Sequence, residues 1–306
     1  MLRTPERYRE DLGRMRPNVY VGGQLVQRDD PRIQPGVNVM SLTFELAQQA
    51  EWKSVMTANS HLNGEEINRF THLPQSPRDL LQKQKMVRLL AQRVGGCIQR
   101  CMGHDALTAL SICTKEMDED KGTDYHSRFL EYLRFYQAND LAAACAQTDM
   151  KGDRTKRPSA QPNPDAYVHI VEESEKGIVV RGAKISITMA AYADELIVLP
   201  TRALKEDDRD YAVPSLSRPT GTGCGSSPGL SGCGRESRYS VPSVITGFLT
   251  LSWSLTIPSF QGSACSCAVS GTSEEGWRFC SPIRTDTATQ AASLRSRISS
   301  VAQRLW

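Results

Sequence analysis

From Pro214 to Trp306 the chain has no lysine, no histidine, no asparagine and no methionine, although the preceding part uses all four freely. Acidic residues nearly vanish from the same stretch and serine dominates it. Five of the nine cysteines lie there without metal-ligand spacing, which excludes an ordinary zinc knuckle. A Ser/Gly-rich disordered tail would fit the composition, but such tails lack residues like Phe248, Trp253, Phe260 and Trp277. Other absences bear on the whole chain. The opening segment MLRTPERYREDLGRMRPN is charged throughout and has no apolar core of a secretory signal, so reduced cysteines and a cytoplasmic location are expected. A net charge of +3 with 23% charged residues gives no basic stripe for nucleic acid. The one long apolar run, VITGFLTLSWSLTIPSF from Val244 to Phe260, carries too much Thr, Ser and Pro for a membrane span.

Up to about Val213 the texture is globular. Thr4-Pro5-Glu6 predicts a helix start, with Thr4 as cap, Pro5 in the first turn and Glu6 at the positive end of the dipole. NVYVGGQLV predicts a hairpin around Gly22-Gly23. Three helical stretches are expected between Ser76 and Gln147. PRDLLQKQKMVRLLAQRVGGCIQRCM recurs in Leu80, Leu81, Val87, Leu89, Leu90 and Val94 at helical period; HDALTALSICTKEM and DYHSRFLEYLRFYQANDLAAACAQ follow. From Ala166 the period moves toward two, and AYVHIVEES, GIVVRGAKISITM and DELIVLPT predict strands, the first two joined by SEKG. Helices followed by antiparallel strands predict an α+β fold.

Three segments could carry chemistry. In VGGCIQRCMGHD, Cys97 and Cys101 are four apart; on one helix their Cβ atoms would be roughly 5–6 Å apart. Two readings stand: small cysteines facing a core, or two thiolates on one metal cluster. Gly95 and Gly96 weaken a helix and give room for a bulky group near the backbone. His104 reads as an ordinary surface or cap residue. In QTDMKGDRTKRP, from Gln147 to Pro158, polar side chains and the Gly152 amide could hold a ring edge and a pyrophosphate, or form a solvated connection. In RGAKISITMAAYADELIVLP, Gly182 and Thr188 are placed in a strand pair against which a flat cofactor could lie.

Taken in order, these segments resemble the 4-hydroxybutyryl-CoA dehydratase branch of the 4-hydroxyphenylacetate 3-hydroxylase family, from about Thr4 to Val213. The resemblance implies an acyl-CoA dehydrogenase-like fold: an N-terminal helical domain (1–145), a middle β domain that begins at 146–213, and a C-terminal helical bundle, missing here. It implies a cytoplasmic homotetramer acting on an acyl-CoA, without nucleic acid or membrane. Cys97 and Cys101 would supply two ligands of a 4Fe–4S cluster. Gln147, Thr148, Asp149, Met150, Lys151, Gly152, Asp153, Arg154 and Thr188 match the FAD-contacting segments. The implied reaction converts 4-hydroxybutyryl-CoA to crotonyl-CoA and isomerises vinylacetyl-CoA. FAD would raise the acidity of an unactivated hydrogen and the cluster would act as Lewis acid on the leaving hydroxyl. The hydroxylase branch lacks the cysteine pair and has a catalytic His where this chain aligns Cys145. Aromatic hydroxylation with FAD, and a non-catalytic flavin- or partner-binding fragment, are the alternatives.

The family's other cluster ligands come from a segment of the form HRHSYSGCK, which is absent. RTDTATQAAS, Arg284 to Ser293, is present instead. Encoded as CGC ACC GAC ACA GCT ACT CAG GCT GCA AGC and read from the third base, it gives His-Arg-His-Ser-Tyr-Ser-Gly-Cys-Lys. At the same offset VPSLSRPTGTG can read AFAIPADWDG, which continues the β domain after DYAV. A single frameshift near Val213 accounts for both, and for the missing residue types. Residues 214–306 are therefore expected to be an out-of-frame tail without native fold. The catalytic residues would lie in the lost part, and the chain is expected to be inactive. Its uncovered apolar faces would favour aggregation.

Overall fold

The computed structural model describes residues 1–212 except 22, 151, 175–176 and 203, and beyond them the backbone of three short strands. Trp253, Trp277, the Arg284–Ser293 segment and both ends of the Val244–Phe260 run lie outside the described residues, as does Lys151.

Helix α1 (Pro5–Gly13) starts as expected: the Thr4 hydroxyl accepts the Arg7 amide and Pro5 opens the first turn. The hairpin β1 (Val19–Val21) and β2 (Gln24–Val26) pairs Val21 with Gln24 across the two glycines. Helix α2 (Gln34–Gln48), the short α3 (Lys53–Met56) and a second hairpin, β3 (Thr57–Asn59) and β4 (Glu66–Asn68), follow.

Helix α4 (Pro77–Val94) is capped by Ser76, whose hydroxyl accepts the Asp79 amide. It is shorter than its periodicity predicts. Gly95 takes a left-handed conformation (φ 71°) and ends the helix, so the sequence through Cys101 is not one helix. Its buried face is Met86, Leu90 and Val94, at spacing four. Leu80 and Leu81, expected on that face, are 48% and 64% exposed.

A new helix, α5 (Cys101–Lys121), starts on the second cysteine, and α6 (Tyr125–Ala138) packs against it. AAACA, expected to prolong a helix, is instead strand β5 (Ala143–Ala146). The chain breaks at Asp140, which has φ 45°. Small alanines then let the strand lie close under α5: a Cβ added to Gly103 would sit 2.1 Å from the Ala143 carbonyl oxygen.

Strands β6 (His169–Ser174) and β7 (Gly177–Ile185) form the expected antiparallel pair. β8 (Glu195–Val198) departs from expectation by running parallel to β5. All four β8 residues are buried, which suits a strand covered on both faces. Beyond these, β9 (Ser215–Ser217) lies antiparallel to β8, and β10 (Ser227–Gly229) and β11 (Thr246–Ser252) extend the sheet of β7. Among the described residues no helix is long and apolar enough to cross a membrane.

One core joins α1, α2 and the first hairpin to residues 142–198, through Tyr8, Val37, Phe44, Ala144, Tyr192 and Leu196. A second lies between α5, α6 and β5, and a third between α2 and α4.

Candidate functional site

The two thiols of the Cys-x3-Cys segment meet, but not on one helical face. Cys97 lies in the turn between α4 and α5, and Cys101 is the first residue of α5. Gln99 adopts φ 64° within that turn, and the two thiols lie close enough to act on each other's proton affinity. Interaction with Cys101, together with the Gln99 amide, outweighs burial and pulls Cys97 down to about 6. Interaction with Cys97, reinforced by burial, pushes Cys101 well above the usual thiol range. Cys97 is exposed and Cys101 half-buried.

The turn is held from two sides. The Tyr192 hydroxyl, buried beneath α2, donates to the Gln99 side-chain oxygen. Arg100 points inward and is 1% exposed. It bonds Asp140 at 2.6 Å, the Leu141 carbonyl at 2.9 Å and the Thr43 hydroxyl at 3.0 Å. Its guanidinium lies 4.3 Å from the Phe44 ring centroid and 5.2 Å from that of Phe70. Sequence reasoning passed over Arg100, since a lone arginine between two cysteines carries no periodic signal.

His104 is fully buried, not a surface residue. Its Nδ1 faces the Phe70 carbonyl oxygen at 3.1 Å, and Nε2 has no partner. Burial and the nearby Lys83 ammonium hold it down from its ordinary 6.5 to about 3. Between those values an unfolded chain binds a proton that the native ring refuses. Stability therefore falls as pH drops below 6.5, by up to about 1.4 kcal/mol per pH unit for one such group. His61, His72 and His126 are also lowered, burial being the first cause in each, and add to the slope. We expect the thermal midpoint to drop between pH 7 and 4.5, and His104→Met to flatten that profile while lowering the midpoint at pH 8.

Lys83 forms an ion pair with Asp105, and both act on Cys101. Asp105 also faces Cys145 from across the α5–β5 contact. Burial pushes the Cys145 thiol up to about 12, with Lys184 opposing. The Gly103 contact brings these groups together. Gly103→Ala should therefore cost at least about 1–3 kcal/mol, read as a lower urea midpoint, because the atom in the way is backbone and cannot rotate aside.

β5 leads directly into the Gln147–Arg154 loop. Asp149 is taken by Lys184 and by the Thr201 amide at 3.3 Å, so its carboxylate braces the loop against β7. Asp153 accepts the Thr155 amide at 3.0 Å, and Gly152 lies against Gln161. Among the described residues no hydrogen bond engages the side chains of Gln147, Thr148, Arg154 or Thr188, which leaves these four free for a ligand. Thr188 lies in the turn after β7, not in a strand. Gly182 (φ 145°) is in β7, but a Cβ there would strike Val168 Cα at 2.4 Å. Protein backbone thus fills the side of Gly182 from which a side chain would project. Among the described residues no three His, Cys, Asp or Glu side chains are placed to hold a metal ion. The thiol pair fits two corners of a cluster and no more.

Known proteins resemble this chain in sequence and in fold. Residues 4–221 match the family model described as 4-hydroxyphenylacetate 3-hydroxylase, N terminal. Over 215 residues the chain is 47% identical to a 4-hydroxybutyryl-CoA dehydratase/vinylacetyl-CoA-Δ-isomerase of Clostridium aminobutyricum, covering 70% of this chain and 44% of that protein. It is 30% identical over 244 residues to the oxygenase component of a Thermus thermophilus 4-hydroxyphenylacetate 3-monooxygenase, covering 77% and 47%. The chain thus spans about half the length of the curated relatives it matches. An oxygen-tolerant archaeal 4-hydroxybutyryl-CoA dehydratase from N. maritimus superposes with TM-score 0.74 at 35% identity, over 82% of this chain and 52% of that one. The oxygenase component of a 4-hydroxyphenylacetate 3-monooxygenase complexed with FAD superposes with TM-score 0.72 at 23% identity, over 84% and 54%, a likeness of fold.

Proposed function

Because the chain belongs to the 4-hydroxyphenylacetate 3-hydroxylase family, we propose that it is the N-terminal part of an acyl-CoA dehydratase, its C-terminal part being translated out of frame. The intact protein would dehydrate 4-hydroxybutyryl-CoA to crotonyl-CoA and isomerise vinylacetyl-CoA as a homotetramer. The observation that carries this reading is the meeting of Cys97 and Cys101 at the start of α5, supported by the higher identity to the dehydratase than to the oxygenase.

Cys97 and Cys101 would hold one side of a 4Fe–4S cluster, and Gln147, Thr148, Arg154 and Thr188, with Met150, Lys151 and the backbone of Gly152, would contact FAD. When bound, the two groups supply Lewis acidity for a leaving hydroxyl and a transient electron acceptor. This chain's own residues provide positioning. Arg100 and Tyr192 fix the thiol turn, and Asp149 and Lys184 fix the loop on which the flavin would rest. Cys145, held protonated by burial, offers no base where the hydroxylase branch has a histidine. The lost bundle would cover Leu80 and Leu81.

The frame reading gains support from β8. A strand lying beside four buried residues should be apolar, yet the written sequence there is Ser215-Leu216-Ser217. The shifted frame can read Ala-Phe-Ala-Ile across Val213–Ser217.

The test is to sequence the gene from the Leu204 codon past Trp306, restore the frame by one base change, and assay the product. Conversion of 4-hydroxybutyryl-CoA supports the proposal. Oxygen-dependent oxidation of a phenol would replace it with aromatic hydroxylation, and a flavin-bound, inert product with a non-catalytic binding role.

A further inference from the structure

Two turns far apart in the sequence are joined by one side chain. The first, residues 186–194, carries Thr188 and is bent by Ser186 (φ 54°) and Met189 (φ 61°), both left-handed without being glycine. Such backbone persists only where its surroundings over-determine it. Here the N-terminal elements do so. The Tyr8 hydroxyl donates to the Tyr192 carbonyl at 2.7 Å, Arg28 Nε donates to the Ala191 carbonyl at 3.0 Å, and Arg3 pairs with Asp194 at 2.7 Å. The second turn, residues 95–100, is bent by Gly95 and Gln99. Tyr192 reaches it past α2, where Gly36 leaves the path open: a Cβ on that glycine would sit 2.4 Å from the ring carbon Cζ. The Tyr192 hydroxyl then donates to the Gln99 side-chain oxygen. Tyr192 is 0% and Gln99 4% exposed, so water is a poor substitute for this bond. Among the described residues it is the one hydrogen bond between the two turns.

We propose that Tyr192 is a positioning residue that couples the two turns, so that order in either one is transmitted to the other through its hydroxyl. Coupling of this kind is reciprocal: whatever restrains the 186–194 turn must restrain the 95–100 turn, and the reverse. A ligand that rigidifies one turn then leaves less disorder to remove at the other. That the first turn seats a flavin rests on the dehydratase reading. The coupling itself is tested on the ligand-free chain, so either can fail without the other.

The test is amide hydrogen exchange of the full chain, read by mass spectrometry on peptides covering 96–104, 187–194 and α6. Tyr192→Phe keeps the ring over Gly36 and removes only the hydroxyl. It should speed exchange about five- to tenfold in both turn peptides, the loss expected for one hydrogen bond, and leave α6 unchanged. Gln99→Met should speed 187–194 although it lies in the other turn, and the double variant should add nothing to either single one. Gln99→Glu, which keeps an acceptor oxygen, should retain the protection. Gly36→Ala displaces the ring from α2 while leaving the hydroxyl in place, and should loosen the same two peptides. The proposal is overturned if Tyr192→Phe leaves 96–104 unaltered, if Gln99→Met leaves 187–194 unaltered, or if exchange rises equally in α6. The last result would make Tyr192 a general packing residue.

Discussion

Replacing Arg100 by methionine is expected to lower the stability of the folded part by about 3–5 kcal/mol, a large fraction of the roughly 5–15 kcal/mol of a typical domain. The side chain is 1% exposed and its partners reach it from two sides: Thr43 on α2, and the adjacent Asp140 and Leu141 in the link between α6 and β5. Methionine can fill much of the space between Phe44 and Phe70, so volume is a minor loss. The larger cost is Asp140. It is 1% exposed, and without Arg100 it keeps only the Arg3 amide at 3.2 Å and the Asn68 amide at 3.3 Å. A buried carboxylate without its cation is what makes breaking such a pair expensive. The double variant Arg100→Met/Asp140→Asn should therefore recover part of the loss, since asparagine removes the charge and tolerates the φ of 45° at that position. Urea unfolding of the three variants, followed by far-UV circular dichroism, gives the comparison. A single variant as stable as the parent would show that the pair contributes nothing net.

The consequence reaches the thiols because Arg100 lies between them in the chain. The sequence displays Cys97 and Cys101 plainly, but their spacing alone leaves core cysteines and a metal pair both open. What holds them together was not legible. A helix was the natural reading of PRDLLQKQKMVRLLAQRVGGCIQRCM, because its apolar period continues almost to the glycines. The left-handed Gly95 and Gln99, which put the cysteines at a helix start, show no periodic trace. Capping by Thr4 and Ser76 was legible because one hydroxyl and one amide decide it locally. Strand β5 was not, since AAACA has good helical propensity and becomes a strand only through its long-range partners, β8 and Gly103. The Gln147–Arg154 loop was legible as a polar connection, but not that Asp149 and Asp153 serve the loop itself, through Lys184 and Thr155.

Iron and sulfide added anaerobically to the chain as written should give no stable cluster, whereas the frame-restored protein should assemble one that survives desalting and chelator. The difference follows from counting donors. A 4Fe–4S cluster takes one protein ligand per iron, and the described residues bring together two, Cys97 and Cys101, with no third His, Cys, Asp or Glu in reach. Two irons would then depend on exogenous thiol or water, and a chelator would remove them. With the codons CGC ACC GAC ACA GCT ACT CAG GCT GCA AGC, Arg284–Ser293 would read His-Arg-His-Ser-Tyr-Ser-Gly-Cys-Lys in the restored frame, which would offer an imidazole and a thiolate. Visible absorbance and iron content after desalting read the outcome directly. In the restored protein Cys101→Ala should abolish the signal, because the remaining donors again fall short of four. The tail as written still carries Cys224, Cys233, Cys265, Cys267 and Cys280, so the opposite result is informative. A chelator-resistant cluster on the unaltered chain would mean that two of these thiols complete the site, and the out-of-frame reading of residues 214–306 would fall.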